Sequence, residues 1–156
     1  MDTQTLKLAE ADSWKGCVLA YGHFSTIHPG HIRYLRHASN LGKDLVVALI
    51  GENTGAKYPF SQKDRAEALS LLGIANAVVL LESDELSSAI KSLKPEVLVL
   101  GNEYKDKPEV LTILQMQHQQ GGTVQFHAGE KNYATADLLS GSERDLKQER
   151  WTLFKE

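Results

Sequence analysis

A chain of 156 residues is long enough for one domain that buries about two-thirds of the surface its unfolded form would expose. Its 42% hydrophobic and 24% charged residues exclude disorder along the whole length, and a formal net charge of -3 excludes the broad basic face that nucleic acid or an acidic membrane would require, though not a local positive pocket. The single cysteine, Cys17, excludes an intrachain disulfide and a thiolate zinc site, and no apolar stretch approaches the roughly 20 residues that span a bilayer.

Residues 1–15 are polar and mixed, and read as an N-terminal arm or a short helix. They lack the basic-then-apolar pattern of a signal peptide, so a cytoplasmic location is expected. Residues 17–21 form an apolar run that predicts a buried strand, with Cys17 as a buried thiol rather than a nucleophile. A helix follows over 29–41, with Ile32, Leu35 and Ala38 on one face and Gly42 as its stop. Residues 44–50 predict a second strand. The helix over 61–72 has Ser61 as its cap, Asp64 at the reciprocal position of a capping box and Gly73 at its end. A third strand over 76–81, a helix over 84–93 closed by Pro95, and a fourth strand over 96–100 come next. A helix over 108–120, ending at Gly121 and Gly122, leads to a fifth strand over 123–127. A last helical stretch is expected from about 135 to 150, and residues 141–156 read as a charge-rich helical tail or linker anchored by Trp151 and Phe154.

Five apolar strands alternating with four helices imply right-handed βαβ units. The expected fold is α/β: a Rossmann-like, doubly wound, five-stranded parallel sheet in a single domain over residues 16–140. Ligands of such sheets bind beyond the carboxyl ends of the strands, where the winding reverses. The loops after the first and fourth predicted strands are therefore where chemistry is expected.

The first of these loops reads Gly22-His23-Phe24-Ser25-Thr26-Ile27-His28-Pro29-Gly30-His31. It leaves a strand and opens a helix, whose unpaired N–H groups and positive dipole end favour an anion. Pro29 suits a first helical turn, and Gly30 leaves room for a ligand to approach the backbone. His28 and His31, three residues apart, fall on the same side of that turn. Donors fixed in advance beside a phosphate are what phosphoryl-group chemistry requires, since charge shifts onto the phosphate oxygens as the nucleophile attacks. Two readings compete: a histidine metal pair, for which no third ligand is evident nearby, and incidental surface histidines. A dinucleotide loop would need Gly-x-Gly-x-x-Gly, which is absent.

This segment resembles the signature of the HxGH nucleotidyltransferase superfamily, Gly-x-Phe-Asp-x-x-His-x-Gly-His. The continuation through Ile32-Arg33-Tyr34-Leu35-Arg36-His37-Ala38 is similar to its cytidylyltransferase-like branch, which includes glycerol-3-phosphate cytidylyltransferases and heptose-phosphate adenylyltransferases. The resemblance covers residues 16–140 and implies direct, magnesium-assisted transfer of CMP or AMP from CTP or ATP to a phosphorylated sugar or polyol, with release of pyrophosphate. It implies that His28 and His31 stabilise the transition state, that Tyr21, Gly22, His23, Phe24, Ser25 and Gly30 hold the substrates, and that no metal is bound by the protein's own ligands. It favours a homodimer, with neither nucleic acid nor membrane as partner.

Later segments extend the set. Lys57, in the glycine-containing loop after the second strand, resembles a phosphate contact, with a solvated lysine as the alternative. Arg65 lies in a first helical turn, where a cation opposes the dipole; a substrate contact competes with a salt bridge to Asp64 or Glu67. Gly101, Asn102, Glu103 and Tyr104 resemble a Gly-x-Asp-Tyr/Trp segment that helps hold the nucleotide, with Glu103 in place of Asp. Tyr133, Ala134 and Thr135 stand where the resemblance implies a hydroxyl-rich phosphate site. Ser25 replaces the pattern's Asp, and Ala134 and Ala136 lack hydroxyls. A nucleotide-binding module without turnover is therefore an alternative, as is one domain of a bifunctional kinase/nucleotidyltransferase.

Overall fold

The computed structural model describes residues 3–25, 27–52, 58–83 and 85–127. The strands are β1 (Gln4–Lys7), β2 (Val18–Gly22), β3 (Leu45–Leu49), β4 (Ala77–Leu80), β5 (Val97–Gly101) and β6 (Thr123–His127). The α-helices are α1 (Pro29–Ser39), α2 (Gln62–Leu72), α3 (Leu86–Leu93) and α4 (Val110–Gln119). The sheet runs β1-β4-β3-β2-β5-β6 with every pairing parallel. The final predicted helix and the 141–156 tail lie outside the described residues.

Six strands stand where five are expected. The extra one is β1, in the segment read as an arm or short helix. It pairs Gln4 with Ala77 through to Lys7 with Leu80, and the Thr3 hydroxyl donates to the Ala75 carbonyl at 2.7 Å. Gln4, Thr5 and Lys7 are exposed, so this edge strand is held by its backbone and carries no apolar signature.

The other strands are apolar because both faces are covered. Leu19, Tyr21, Val46, Ala48, Leu98 and Leu100 point to the layer of α3 and α4, while Val18, Ala20, Val47, Leu49, Val97 and Val99 point to that of α1 and α2. Each large side chain withdrawn from water in this way contributes about 1.5–3 kcal/mol. Burial also pushes the Cys17 thiol up to about 12, which leaves it a core residue.

The helices end by local means. The Ser61 hydroxyl caps α2 by accepting the Asp64 N–H at 3.2 Å, and Gly73 closes it in the left-handed conformation at φ +69°. Helix α1 stops at Ser39, earlier than expected, with Asn40 as its C-cap. Gly42 is not the stop; it passes against β2, where a Cβ would lie 2.7 Å from Val18 Cγ2.

The winding reverses between β2 and β5. Strand β2 pairs with β3 as far as Gly22 and Leu49, but with β5 only as far as Ala20 and Val99. The fork so opened is filled by Tyr34 of α1, whose hydroxyl donates to the Val99 carbonyl at 2.7 Å and accepts the Tyr21 N–H at 3.3 Å. No helix among the described residues is long and apolar enough to cross a membrane.

Candidate active site

A cleft of about 230 Å³ opens above this fork. Its first wall is the loop from β2 to α1. Phe24 turns that loop inward in the left-handed region at φ +47°, a conformation that costs a bulky residue about 1–2 kcal/mol, and buries its ring 6.2 Å from Tyr34 and 5.6 Å from His31. The chain then reaches α1 with its first turn facing the cleft.

The two motif histidines form the cap of that helix. His28, at the N-cap, accepts the Gly30 N–H on Nδ1 at 2.9 Å, and its own N–H donates to Nδ1 of His31 at 3.2 Å. The ring centroids stand 4.0 Å apart and both rings line the cleft. A nitrogen that accepts a main-chain N–H carries no proton, so each neutral ring holds its proton on Nε2. The backbone thereby fixes two imidazoles as N–H donors at a helix N-terminus.

His23 obeys the same rule. Its Nδ1 accepts the Ser25 N–H at 3.2 Å and lies 3.0 Å from the Ser25 hydroxyl, while its ring stacks on Tyr58 at 4.9 Å. Burial, and then the Arg65 cation, lower its pKa below the ordinary 6.5, with the Glu103 carboxylate pulling the other way. Ser25 is not among the cleft's lining residues and holds the His23 ring through its N–H and its hydroxyl.

The far wall comes from the carboxyl ends of β5 and β6. Gly101 and Glu103 line it, and a Cβ at position 101 would collide with the Glu103 carboxylate, so glycine is what lets that carboxylate fold back over the strand end. Asn102 is exposed and lies outside the lining. Tyr104 turns to the opposite face of the sheet, 5.7 Å from the ring of Tyr21. There it lines a second hollow of about 520 Å³ with Tyr21, Ile50, Tyr58, Leu100 and Lys107. Tyr21 borders both spaces.

Arg65 is neither a wall of the cleft nor a surface ion pair. It is 1% exposed, and its guanidinium donates to the carbonyls of His23 and Ile50 at 2.8 Å each and of Phe60 at 3.1 Å, while lying 4.8 Å from the centre of the Tyr58 ring. It ties three chain segments together beneath the first loop. Lys57, Tyr133, Ala134 and Thr135 lie outside the described residues.

The structure adds two cleft residues that the sequence did not single out, Tyr34 and His127. Tyr34 stands in the continuation of the first motif, Ile32 to Ala38, where no individual side chain is given a role in the site. His127 ends β6 opposite Gly101, and its position at a strand's carboxyl end was the available signal.

Residues 19–142 match the cytidylyltransferase-like family. The bifunctional protein HldE of Helicobacter pylori is 38% identical over 107 residues, covering 65% of this chain and 23% of that protein. HldE of Campylobacter concisus is 40% identical over 113 residues, covering 67% of this chain and 24% of that protein. This chain therefore matches less than a quarter of each of these relatives. Among solved structures, the lipopolysaccharide core biosynthesis protein from Thermoplasma volcanium superposes with a TM-score of 0.58 at 27% identity, over 70% of this chain and 91% of that one. Pantothenate synthetase from Thermus thermophilus shares the fold, with a TM-score of 0.53 at 14% identity over 80% of this chain and 60% of its own.

Proposed function

The chain belongs to the cytidylyltransferase-like family of nucleotidyltransferases, and from that premise we propose that it transfers CMP or AMP from CTP or ATP to a phosphorylated sugar or polyol, releasing pyrophosphate. The observation that carries this reading is the pair of imidazoles 4.0 Å apart, tied by their Nδ1 atoms to the first turn of α1 and facing the cleft at the sheet's switch point.

In this mechanism a phosphate oxygen of the acceptor attacks the α-phosphorus in line. The new P–O bond forms as the bond to the β-phosphate oxygen breaks, and pyrophosphate leaves with the bonding pair. An ionised phosphate oxygen carries no proton to remove, so no general base is needed. Nε2–H of His28 and of His31 donate to the α-phosphate oxygens as their charge rises, without reorganising at that moment. The Gly30 N–H is engaged by His28, so the rings, rather than that amide, carry the interaction.

Magnesium, when bound, would neutralise the triphosphate and align it. Glu103 is the carboxylate in the described cleft wall available to it.

The test is pyrophosphate release from CTP and from ATP against a panel of sugar and polyol phosphates. Saturable nucleotide binding with no pyrophosphate from any acceptor would replace this reading with a binding module. A second reading, one domain of a bifunctional kinase/nucleotidyltransferase, is supported by the name of the HldE relatives and by the share of them that this chain matches. The reading frame around the coding sequence tests it.

A further inference from the structure

We propose that Ser25 and His23 act as one unit, in which Ser25 is a positioning residue that fixes His23 as a third imidazole N–H donor to substrate phosphate. The proposal rests on the transfer reaction above and adds a donor to the His28 and His31 pair.

His23 lines the cleft together with those two histidines. It meets the main chain as His28 does. Nδ1 of His28 accepts the N–H two residues on, from Gly30 at 2.9 Å, and Nδ1 of His23 accepts the N–H two residues on, from Ser25 at 3.2 Å. Ser25 adds its hydroxyl, 3.0 Å from the same nitrogen. A nitrogen that accepts an amide proton carries none of its own, so the hydroxyl donates to it as well. A ring proton on Nδ1 would face that amide N–H head on. The proton therefore stays on Nε2, while among the described residues the ring's hydrogen bonds both run through Nδ1.

Two further contacts hold the residue in place. The ring stacks on Tyr58 at 4.9 Å and 16°, and the His23 carbonyl accepts from the Arg65 guanidinium at 2.8 Å. Ring, tautomer and backbone are set before a ligand arrives, which is the condition for a preorganised donor.

The tautomer decides what His23 does. With its proton on Nε2 it is a donor and not a general base, and an ionised acceptor phosphate needs no base. Burial and then the Arg65 cation lower its pKa, against the pull of Glu103, so the neutral ring is the form present near pH 7. An Asp at position 25, as in the motif this loop resembles, would draw the proton to Nδ1 instead. The serine is matched to the histidine beside it, and its departure from the motif is not a loss. The phosphate that His23 meets belongs to the nucleotide or to the acceptor, and the two sources are separable.

The experiment uses the full chain and reads binding by calorimetry in two arms, CTP and ATP in one, glycerol 3-phosphate and glucose 1-phosphate in the other. His23→Phe keeps a ring against Tyr58 and removes both nitrogens. Ser25→Ala removes the hydroxyl, and Ser25→Thr restores it. H23F is expected to lose about tenfold in affinity in at least one arm, the scale of one hydrogen bond to a charged group, and the arm that loses identifies the phosphate. In that arm S25A should lose about threefold, S25T should bind like the parent, and S25A should add no loss to H23F, because Ser25 acts only through the ring. Nitrogen NMR of the parent should place the His23 proton on Nε2; this spectrum and the Ser25 variants decide the matter even if H23F does not fold. Parent-like affinity of H23F in both arms overturns the proposal. So does an S25A loss that persists without the imidazole, a His23 proton on Nδ1, or a parent that binds nothing in either arm. Because binding is read without turnover, a chain that holds phosphate through His23 yet releases no pyrophosphate refutes the transfer reaction and leaves this assignment standing.

Discussion

His28 and His31 cap one helix together: the N–H of the first donates to Nδ1 of the second at 3.2 Å, and Nδ1 of the first accepts the Gly30 N–H at 2.9 Å. An imidazolium cannot accept at Nδ1, so the helix start and the donor state of the rings depend on each other. His28→Ala removes a cap as well as a donor and is expected to destabilise the protein by about 1 kcal/mol, whereas His28→Asn keeps an N-cap acceptor and should unfold near the parent. Urea denaturation of the two variants measures the difference, and equal losses would show that the ring is not a cap.

Arg65 braces the first loop from below through Nε and Nη1. Arg65→Met leaves the carbonyls of His23, Ile50 and Phe60 without their donor and should lower stability by about 3 kcal/mol. Arg65→Lys should recover little of it, because an ammonium on a flexible stem does not reproduce the planar fork. Chemical denaturation of both variants tests this. A destabilisation under about 0.5 kcal/mol, the range of an ordinary surface change, would refute the role.

Tyr34→Phe removes the hydroxyl that joins Tyr21 to Val99 at the fork between β2 and β5. The buried groups left behind should cost about 1–3 kcal/mol, and the Tyr21 amide should exchange with solvent faster than in the parent. Hydrogen exchange read residue by residue checks both the effect and its location.

Most of the core was legible because its signal is local. Residues such as Val46 and Val99 are buried from either face of the sheet, so continuous apolar runs mark the strands wherever they lie. The loop at residues 22–31 was legible for a different reason: its spacing of Pro, Gly and two His encodes a helix start directly. What escaped depends on tertiary placement. Gln4 to Lys7 read as an arm because an edge strand needs only a backbone neighbour, and Ala77–Leu80 supplies one. Arg65 reads as a substrate contact or a salt bridge to Asp64 or Glu67, because periodicity does not reveal that the carbonyls of His23, Ile50 and Phe60 converge on it. His127 carries no motif; only the pairing of β6 with β5 brings it to the cleft.

Acid should weaken the fold through His23 and His127. Burial lowers both below the ordinary 6.5, so the folded state binds fewer protons than the unfolded chain as pH falls past that value. Their contribution to stability is therefore fully present above 6.5 and is lost on acidification from there toward the folded-state values. Denaturant midpoints measured from about pH 7.5 to pH 5 should fall, and His127→Phe should flatten part of that slope. A slope unchanged in the variant would contradict the burial of this ring.

In the proposed mechanism the two capped imidazoles stabilise charge on the α-phosphate. The direct measurement is the rate of pyrophosphate release with saturating nucleotide and acceptor in the parent, His28→Asn and His31→Gln. Each variant is predicted to lose about 100- to 1000-fold in kcat while its thermal unfolding stays close to the parent's. Turnover within about twofold of the parent in either variant would contradict the claim.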